Sequence, residues 1–83
     1  MVGYAVIFSY SFDDDVFFYL FESEKSAVAF LKESYSEELR IDVEENGWDA
    51  VGHITDDGWY TEISNYFQDH VDTTVFRIVL TYG

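Results

Sequence analysis

The beginning of the chain carries large apolar side chains in an alternating pattern. In the opening run every second position is large and apolar: Tyr4, Val6, Phe8, Tyr10 and Phe12. This period of two is typical of a strand with one strongly apolar face. Asp13, Asp14 and Asp15 interrupt the run with residues that favour turns, and residues 16–21 are then apolar on both faces. The pattern predicts a β-hairpin with three carboxylates at its tip and a second strand at the centre of a sheet.

After the hairpin, the apolar residues recur at three- and four-residue spacing. They are Ala27, Val28, Leu31, Tyr35, Leu39 and Val43, which form the stripe of an amphipathic helix. Ser23 is a suitable N-cap, and Asn46-Gly47 supplies a stop because Gly tolerates the left-handed conformation that ends many helices. We therefore predict one helix over residues 24–45. A bend near Ser34 and Ser36, which are weak helix formers, is the alternative.

Three further alternating runs predict three more strands, over residues 48–55, 59–64 and 74–82. Asp56-Asp57-Gly58 joins the first two as a hairpin turn, and residues 65–72 are polar and irregular. The element order is therefore ββαβββ. This order predicts an α+β fold with a mostly antiparallel five-stranded sheet and one long helix packed on one face.

The composition is that of a small domain with a core rich in aromatic residues. Hydrophobic residues make up 48% of the 83 residues and aromatic residues 20%, and each aromatic side chain buries about 150–250 Å². We expect residues 1–83 to form a single compact domain, since two cores would not fit. The chain has no Cys and no basic signal region, which favours a cytoplasmic location. No segment approaches the roughly 20 apolar residues that span a bilayer.

Acidic side chains dominate the charge. Seventeen Asp and Glu against four Lys and Arg give a formal net charge of −13. The sign of this charge excludes direct binding to nucleic acid through a basic patch and binding to anionic membranes. A partner that is steered electrostatically should be a basic protein surface.

Carboxylates crowd the predicted helix in two rows beside the apolar stripe. One row holds Glu33, Glu37 and Glu44, and the other holds Glu38, Asp42 and Glu45. Neighbours four residues apart rise about 6 Å along the axis, which is of the order of phosphate spacing in a nucleic acid. Such like-charge pairs destabilise a helix by roughly 0.2–0.5 kcal/mol each. The crowding indicates either a solvated helix face or a surface that imitates polyphosphate.

Candidate groups for catalysis or metal binding are few. The chain has no Gly-x-Ser-x-Gly elbow and no HExxH pair, and its aspartate runs lack the ligand spacing of an EF-hand. We also expect a chain this short to lack a cleft of about 300 Å³ or more. We predict no catalytic residue, no metal site and no cofactor. A small metal-dependent enzyme is the alternative, and it requires His53 or His70 to converge with two carboxylates.

The chain has more aromatic side chains than one helix can cover. We expect six of them on the uncovered sheet face: Tyr4, Tyr10, Tyr19, Trp59, Tyr60 and Tyr82. Exposed Tyr and Trp are enriched at interfaces, and burial under residues 65–72 is the alternative. An aromatic surface of this kind would suit a structural or interaction module that forms a homodimer, with the charge serving solubility.

A compact acidic α+β chain with carboxylates on a helix and at hairpin tips resembles the DNA-mimic proteins of phages and mobile elements, which include anti-restriction and anti-CRISPR inhibitors. The runs Glu37-Glu38-Leu39-Arg40-Ile41-Asp42 and Glu44-Glu45-Asn46-Gly47-Trp48-Asp49 also look like small uncharacterised proteins of gut Firmicutes and their phages. Charge and resemblance together favour a non-enzymatic protein that blocks the basic site of a DNA- or RNA-binding protein. The expected contact residues, which would pair with Lys or Arg, are Glu33, Glu37, Glu38, Asp42, Glu44 and Glu45, with Asp13, Asp14 and Asp15 if the hairpin tip lies alongside.

Overall fold

The computed structural model describes residues 2–82, with side chains for residues 3–81. The described elements are, in chain order, strand β1 (Val2–Tyr10), strand β2 (Asp13–Phe21), helix α1 (Glu24–Arg40), a π-helical turn (Ile41–Glu45), and strands β3 (Asp49–Ile54), β4 (Tyr60–Tyr66) and β5 (Val71–Tyr82). The strands form a five-stranded sheet in the order β2-β1-β5-β4-β3, and every neighbouring pair is antiparallel. The predicted α+β fold with ββαβββ order is confirmed.

Strand β2 lies at an edge of this sheet, so the predicted central position is wrong. The centre is taken by β5, which pairs with β1 on one side and β4 on the other. Apolar side chains on both faces of β2 were interpreted as burial on both faces. They are exposed instead, from Val16 to Leu20, because the last strand returns to the middle of the sheet.

The turn of the first hairpin falls at Ser11 and Phe12, before the three aspartates. Asp13 pairs with Tyr10 and already belongs to β2, and the register then shifts as in a β-bulge before Val16 pairs with Ser9. Within this irregular stretch the backbone N–H of Asp15 donates to Asp13 Oδ1 at 2.9 Å. The aspartates therefore lie beside the turn and begin the strand, which corrects their predicted place at the tip.

The predicted helix is continuous from its N-cap to its stop. Ser23 Oγ accepts a hydrogen bond from the N–H of Ser26 at 3.2 Å, and Gly47 has a φ of 69° just beyond the last turn. The helix runs through Ser34 and Ser36 without a break. The helix departs from α-helical geometry at its end, where Ile41–Glu45 form the π-helical turn.

The core lies between one face of the sheet and α1. Ala27 and Leu31 are fully buried against Val6, Phe76 and Ile78. The helix also approaches β3 closely, because Gly52 has no side chain where Tyr35 and Leu39 pack. A Cβ at Gly52 would lie only 2.8 Å from Leu39 Cδ2 and would also collide with the Tyr35 ring.

The sheet face away from α1 is termed the open face. Tyr4, Tyr10 and Trp59 pack on the core beneath the helix, and Tyr19 lies on the same side, with its ring 5.1 Å from that of Phe30. Their predicted place on the uncovered face is therefore wrong. Tyr60 does lie on the open face, opposite Arg77, while the side chain of Tyr82 is outside the described residues.

Strands β4 and β5 are longer than the sequence pattern predicted, because they extend into the polar segment between them. Strand β4 continues to Tyr66 and β5 begins at Val71, so the irregular segment shortens to residues 67–70. The added residues pair in register, for example Asn65 with Asp72. Backbone pairing with neighbouring strands therefore outweighs the low strand preference of these residues.

Candidate acidic binding surface

Four charged residues form a row on the outward side of the helix. Glu33, Glu37, Arg40 and Glu44 follow one another at four-, three- and four-residue spacing, and all are exposed. Helical residues three and four apart are neighbours on the surface. The row therefore faces solvent, opposite the buried Ala27 and Leu31.

Arg40 lies close to three carboxylates, two from this row and that of Glu45 beside it. Its Nη2 lies 2.6 Å from Glu37 Oε1, its Nη1 lies 3.5 Å from Glu44 Oε2, and its Nη2 lies 3.7 Å from Glu45 Oε2. The hydrogen bond from Arg40 holds the pKa of Glu37 below its ordinary value. One cation among three anions leaves this group with an excess of negative charge, and Glu33 adds to it.

Asp42 is not on the surface, so its predicted contact role is wrong. The residue is only 2% exposed, and its Oδ2 accepts a hydrogen bond from Asn65 Nδ2 of β4 at 3.1 Å. The Asp42 carbonyl also accepts from the N–H of Trp48 at 2.8 Å. Asp42 lies eleven residues after Leu31, which is three helical turns, and this spacing could have indicated the buried side.

Glu38 is half-buried, and its carboxylate lies close enough to Tyr10 of β1 to act on it electrostatically. Burial raises its pKa above the ordinary value, and the nearby charge of Asp42 adds to the effect. The row formed by Glu38 and Asp42 thus points inward. Of the second predicted row, Glu45 remains exposed beside Arg40.

Replacing Glu38 by Gln is expected to stabilise the protein at neutral pH. Because the folded pKa of Glu38 is raised, its ionisation at neutral pH opposes folding, and the stabilisation that comes with protonation is complete only below the ordinary pKa of 4.5. Glu33→Gln removes the same charge from an exposed position and is the control. In urea denaturation, Glu38→Gln should be the more stable variant at neutral pH, with a difference that shrinks in acid. Equal stabilities at neutral pH would contradict the assignment.

Of the three aspartates of the first hairpin, Asp13 lies on the helix side of the sheet. All three are exposed. Burial raises the pKa of Tyr10, and among charged groups the carboxylates of Glu38 and Asp13 contribute to the same shift. Asp13 pairs with Tyr10 in the sheet, and Tyr10 packs on the core beneath the helix, so Asp13 lies on the same side of the sheet as the helix.

The two histidines occupy separate places on the surface. His70 lies in the segment between β4 and β5, with Nδ1 2.9 Å from Asp69 Oδ1 and Nε2 3.6 Å from Asp72 Oδ2. The hydrogen bond with Asp69 raises the pKa of His70. His53 lies on the open face of β3, opposite Glu62. Within residues 2–82 no group of three or more His, Asp or Glu side chains is arranged to hold a metal ion.

A depression of about 400 Å³ runs along one side of the helix, which exceeds the volume expected for so short a chain. Its lining residues all come from α1 and the π-helical turn: Tyr35, Ser36, Leu39, Arg40, Val43 and Glu44. No second element closes over it. The charged groups in its wall, Arg40 and Glu44, already pair with each other.

The candidate site residues on the helix side are therefore the exposed carboxylates of the helix together with Asp13. Residues 2–82 contain no helix that is long and apolar enough to cross a membrane. Compared with protein-family models, with curated proteins and with solved structures, the chain has no match.

Proposed function

We propose that this protein is a non-enzymatic binding protein that engages a basic surface of another protein. The observation that carries the proposal is the outward row of carboxylates on the helix, with the exposed Asp13 on the same side of the sheet. The proposed contact residues are Glu33, Glu37, Glu44, Glu45, Asp13, Asp14 and Asp15, all of them exposed. A cytoplasmic location is part of the proposal, supported by the absence of Cys.

The carboxylates near Arg40 differ in how strongly they are bound to it. Glu37 accepts two hydrogen bonds from Arg40, from Nη2 at 2.6 Å and Nε at 3.2 Å, so it is held in place and partly neutralised. Glu44 and Glu45 lie further from the guanidinium, and Glu33 makes no ion pair with the described residues. These three carboxylates are the freest to pair with Lys or Arg of a partner.

The narrower proposal is that the partner's basic surface is a nucleic-acid site, which this protein blocks as an inhibitor. Within the row, Glu33 and Glu37 are about 6 Å apart along the axis and Glu44 follows about 10 Å further on, which supports imitation of one phosphate backbone. Imitation of both strands of a duplex has less support, because Glu38 and Asp42 turn toward the sheet. A partner that uses one backbone strand fits the row best.

Two paired variants test whether the position of the charge matters. Glu33→Gln/Glu44→Gln removes two carboxylates from the row, and Glu22→Gln/Asp56→Asn removes two exposed carboxylates elsewhere, so the net charges match. Basic proteins captured from host lysate on the immobilised wild type should dissociate with added salt. We expect the first variant to bind them about tenfold or more weakly, and the second to bind nearly as the wild type. Equal losses in both variants, or capture of no basic protein at low salt, would refute the proposal.

Competition tests the narrower proposal. Single-stranded or duplex nucleic acid is added to the captured complex, and release of the partner is measured. If the carboxylate row occupies a nucleic-acid site, the two ligands exclude each other and the partner is released. A partner that binds this protein and nucleic acid together would limit the proposal to a basic surface of another kind.

A further inference from the structure

The open face of the sheet is a surface separate from the acidic row. The register places Leu20 beside Ala5 and Phe18 beside Ile7, and Val79 and Val75 continue the same face on β5. Within residues 2–82 no helix packs on this side, since the buried core lies against α1. The β2, β1 and β5 part of the open face is therefore apolar and uncovered.

The side chains at its β2 edge are strongly exposed. Val16, Phe18 and Leu20 are 57%, 65% and 68% exposed, respectively. The largest contiguous apolar patch on a monomer is usually about 300–600 Å² and is often functional. Strands β1, β2 and β5 are 9, 9 and 12 residues long. Three strands about 4.8 Å apart, over about nine residues, give a flat footprint of about 430 Å² per copy. Two such faces cover about 860 Å² as flat areas, and the side chains that project from them bring the buried surface to the roughly 1,000 Å² that a specific interface needs.

The charge of the protein is segregated away from this surface. Although the chain has 17 Asp and Glu, the paired open-face positions of β2, β1 and β5 carry a single charged side chain, Arg77. Two copies can therefore meet here without bringing carboxylates together. Arg77 makes no ion pair with the described residues, and Glu62 lies on the same face of the adjacent strand β4. A face that carries one cation and one nearby anion is complementary to itself across a two-fold axis.

We propose that the open face binds a second copy of this chain, face to face, to form a closed dimer. The two sheets then pack about 10 Å apart as in a β-sandwich, with both α1 helices on the outside. Pairing of two β2 edges would leave Phe18 and Leu20 exposed, so it does not account for the patch. The inference goes beyond the proposed function, since the dimer forms whether or not a basic partner exists.

Adjacent residues on opposite sides of β2 provide a matched test. Phe18 lies on the open face, and Phe17 lies on the helix side, opposite Phe8, and is 48% exposed. Phe18→Thr is expected to raise the dimer dissociation constant by about 100-fold, because each dimer loses two aromatic anchors. Phe17→Thr should change it by less than about threefold. Leu20→Thr serves as a second open-face variant should Phe18→Thr fail to fold.

Sedimentation equilibrium over a wide range of concentration, at low and high salt, measures these constants, and circular dichroism checks each fold. The wild type should dimerise at least as tightly at high salt, because salt screens the repulsion between two acidic chains. Salt should instead weaken a complex with a basic partner. The opposite responses to salt distinguish failure of the dimer proposal from failure of the proposed function. A wild type that stays monomeric overturns the dimer. So does a dimer that withstands the open-face variants, or one that responds equally to Phe17→Thr and Phe18→Thr.

Discussion

Replacing Leu31 by Ala is expected to lower the free energy of unfolding by about 3–4 kcal/mol. Leu31 is fully buried between α1 and the sheet, against Val6, Phe76 and Ile78. The substitution removes its apolar contacts and leaves a cavity that the surrounding strands cannot fully close. Domains of this size are stable by only about 5–15 kcal/mol, so the loss is a large fraction of the total. Urea denaturation followed by Trp fluorescence measures it.

Leu80→Ala is the matched control for this prediction. It deletes the same atoms, but Leu80 is 45% exposed near the end of β5, so less apolar surface is lost and solvent can fill the space. We expect a loss of about 1 kcal/mol. Similar losses at the two positions would mean that the core is not centred on Leu31.

Replacing Asn65 by Leu is expected to cost about 3 kcal/mol of unfolding free energy. The reason is Asp42, whose buried carboxylate accepts its hydrogen bond from Asn65 Nδ2. The variant leaves that charge buried without its donor, which is far more costly than losing a bond between neutral groups. The other amide atom of Asn65, Oδ1, has no partner among the described residues, so little else is lost. Thermal and urea denaturation at neutral pH provide the measurement.

A double-mutant cycle with Asp42→Asn isolates the part of this effect that comes from charge. In the Asp42→Asn background the group left behind is a neutral amide, so Asn65→Leu should cost only about 1 kcal/mol. The difference between the two backgrounds is the coupling between the carboxylate and the amide. Additive effects would show that Asp42 and Asn65 do not act as a pair.

The element types of this protein follow from local patterns of the sequence. Alternation marked β1, three- and four-residue spacing marked α1, and the signals at Ser23 and Gly47 marked the ends of the helix. These features depend on contacts within a few residues, so they can be predicted without the rest of the fold. The bulge at the aspartates beside Ser11 could not be predicted in this way. Two hydrogen bonds join Ser11 to Thr73 of β5, from Ser11 N–H to the Thr73 carbonyl and from Thr73 N–H to Ser11 Oγ, and the turn position depends on this contact with a distant strand.

The candidate acidic surface was predicted only in part. The exposed positions of Glu33, Glu37 and Glu44 agree with the helical pattern. Asp42 was assigned to the surface because it follows Glu38 at four-residue spacing beside the apolar stripe. The partner, Asn65, lies on β4, 23 residues further along the chain, and nothing in the local sequence around Asp42 indicates it.

By itself, the sequence determined the charge of the protein, the nature of its strands and helix, and their order. Only the tertiary structure decided which strand lies at the edge. A strand that is apolar on both sides has the same sequence pattern whether it is covered twice or left open. The insertion of β5 between β1 and β4 placed β2 at the edge and exposed Phe18 and Leu20. Long-range strand pairing therefore created the open face, and with it the surface proposed to bind a second copy.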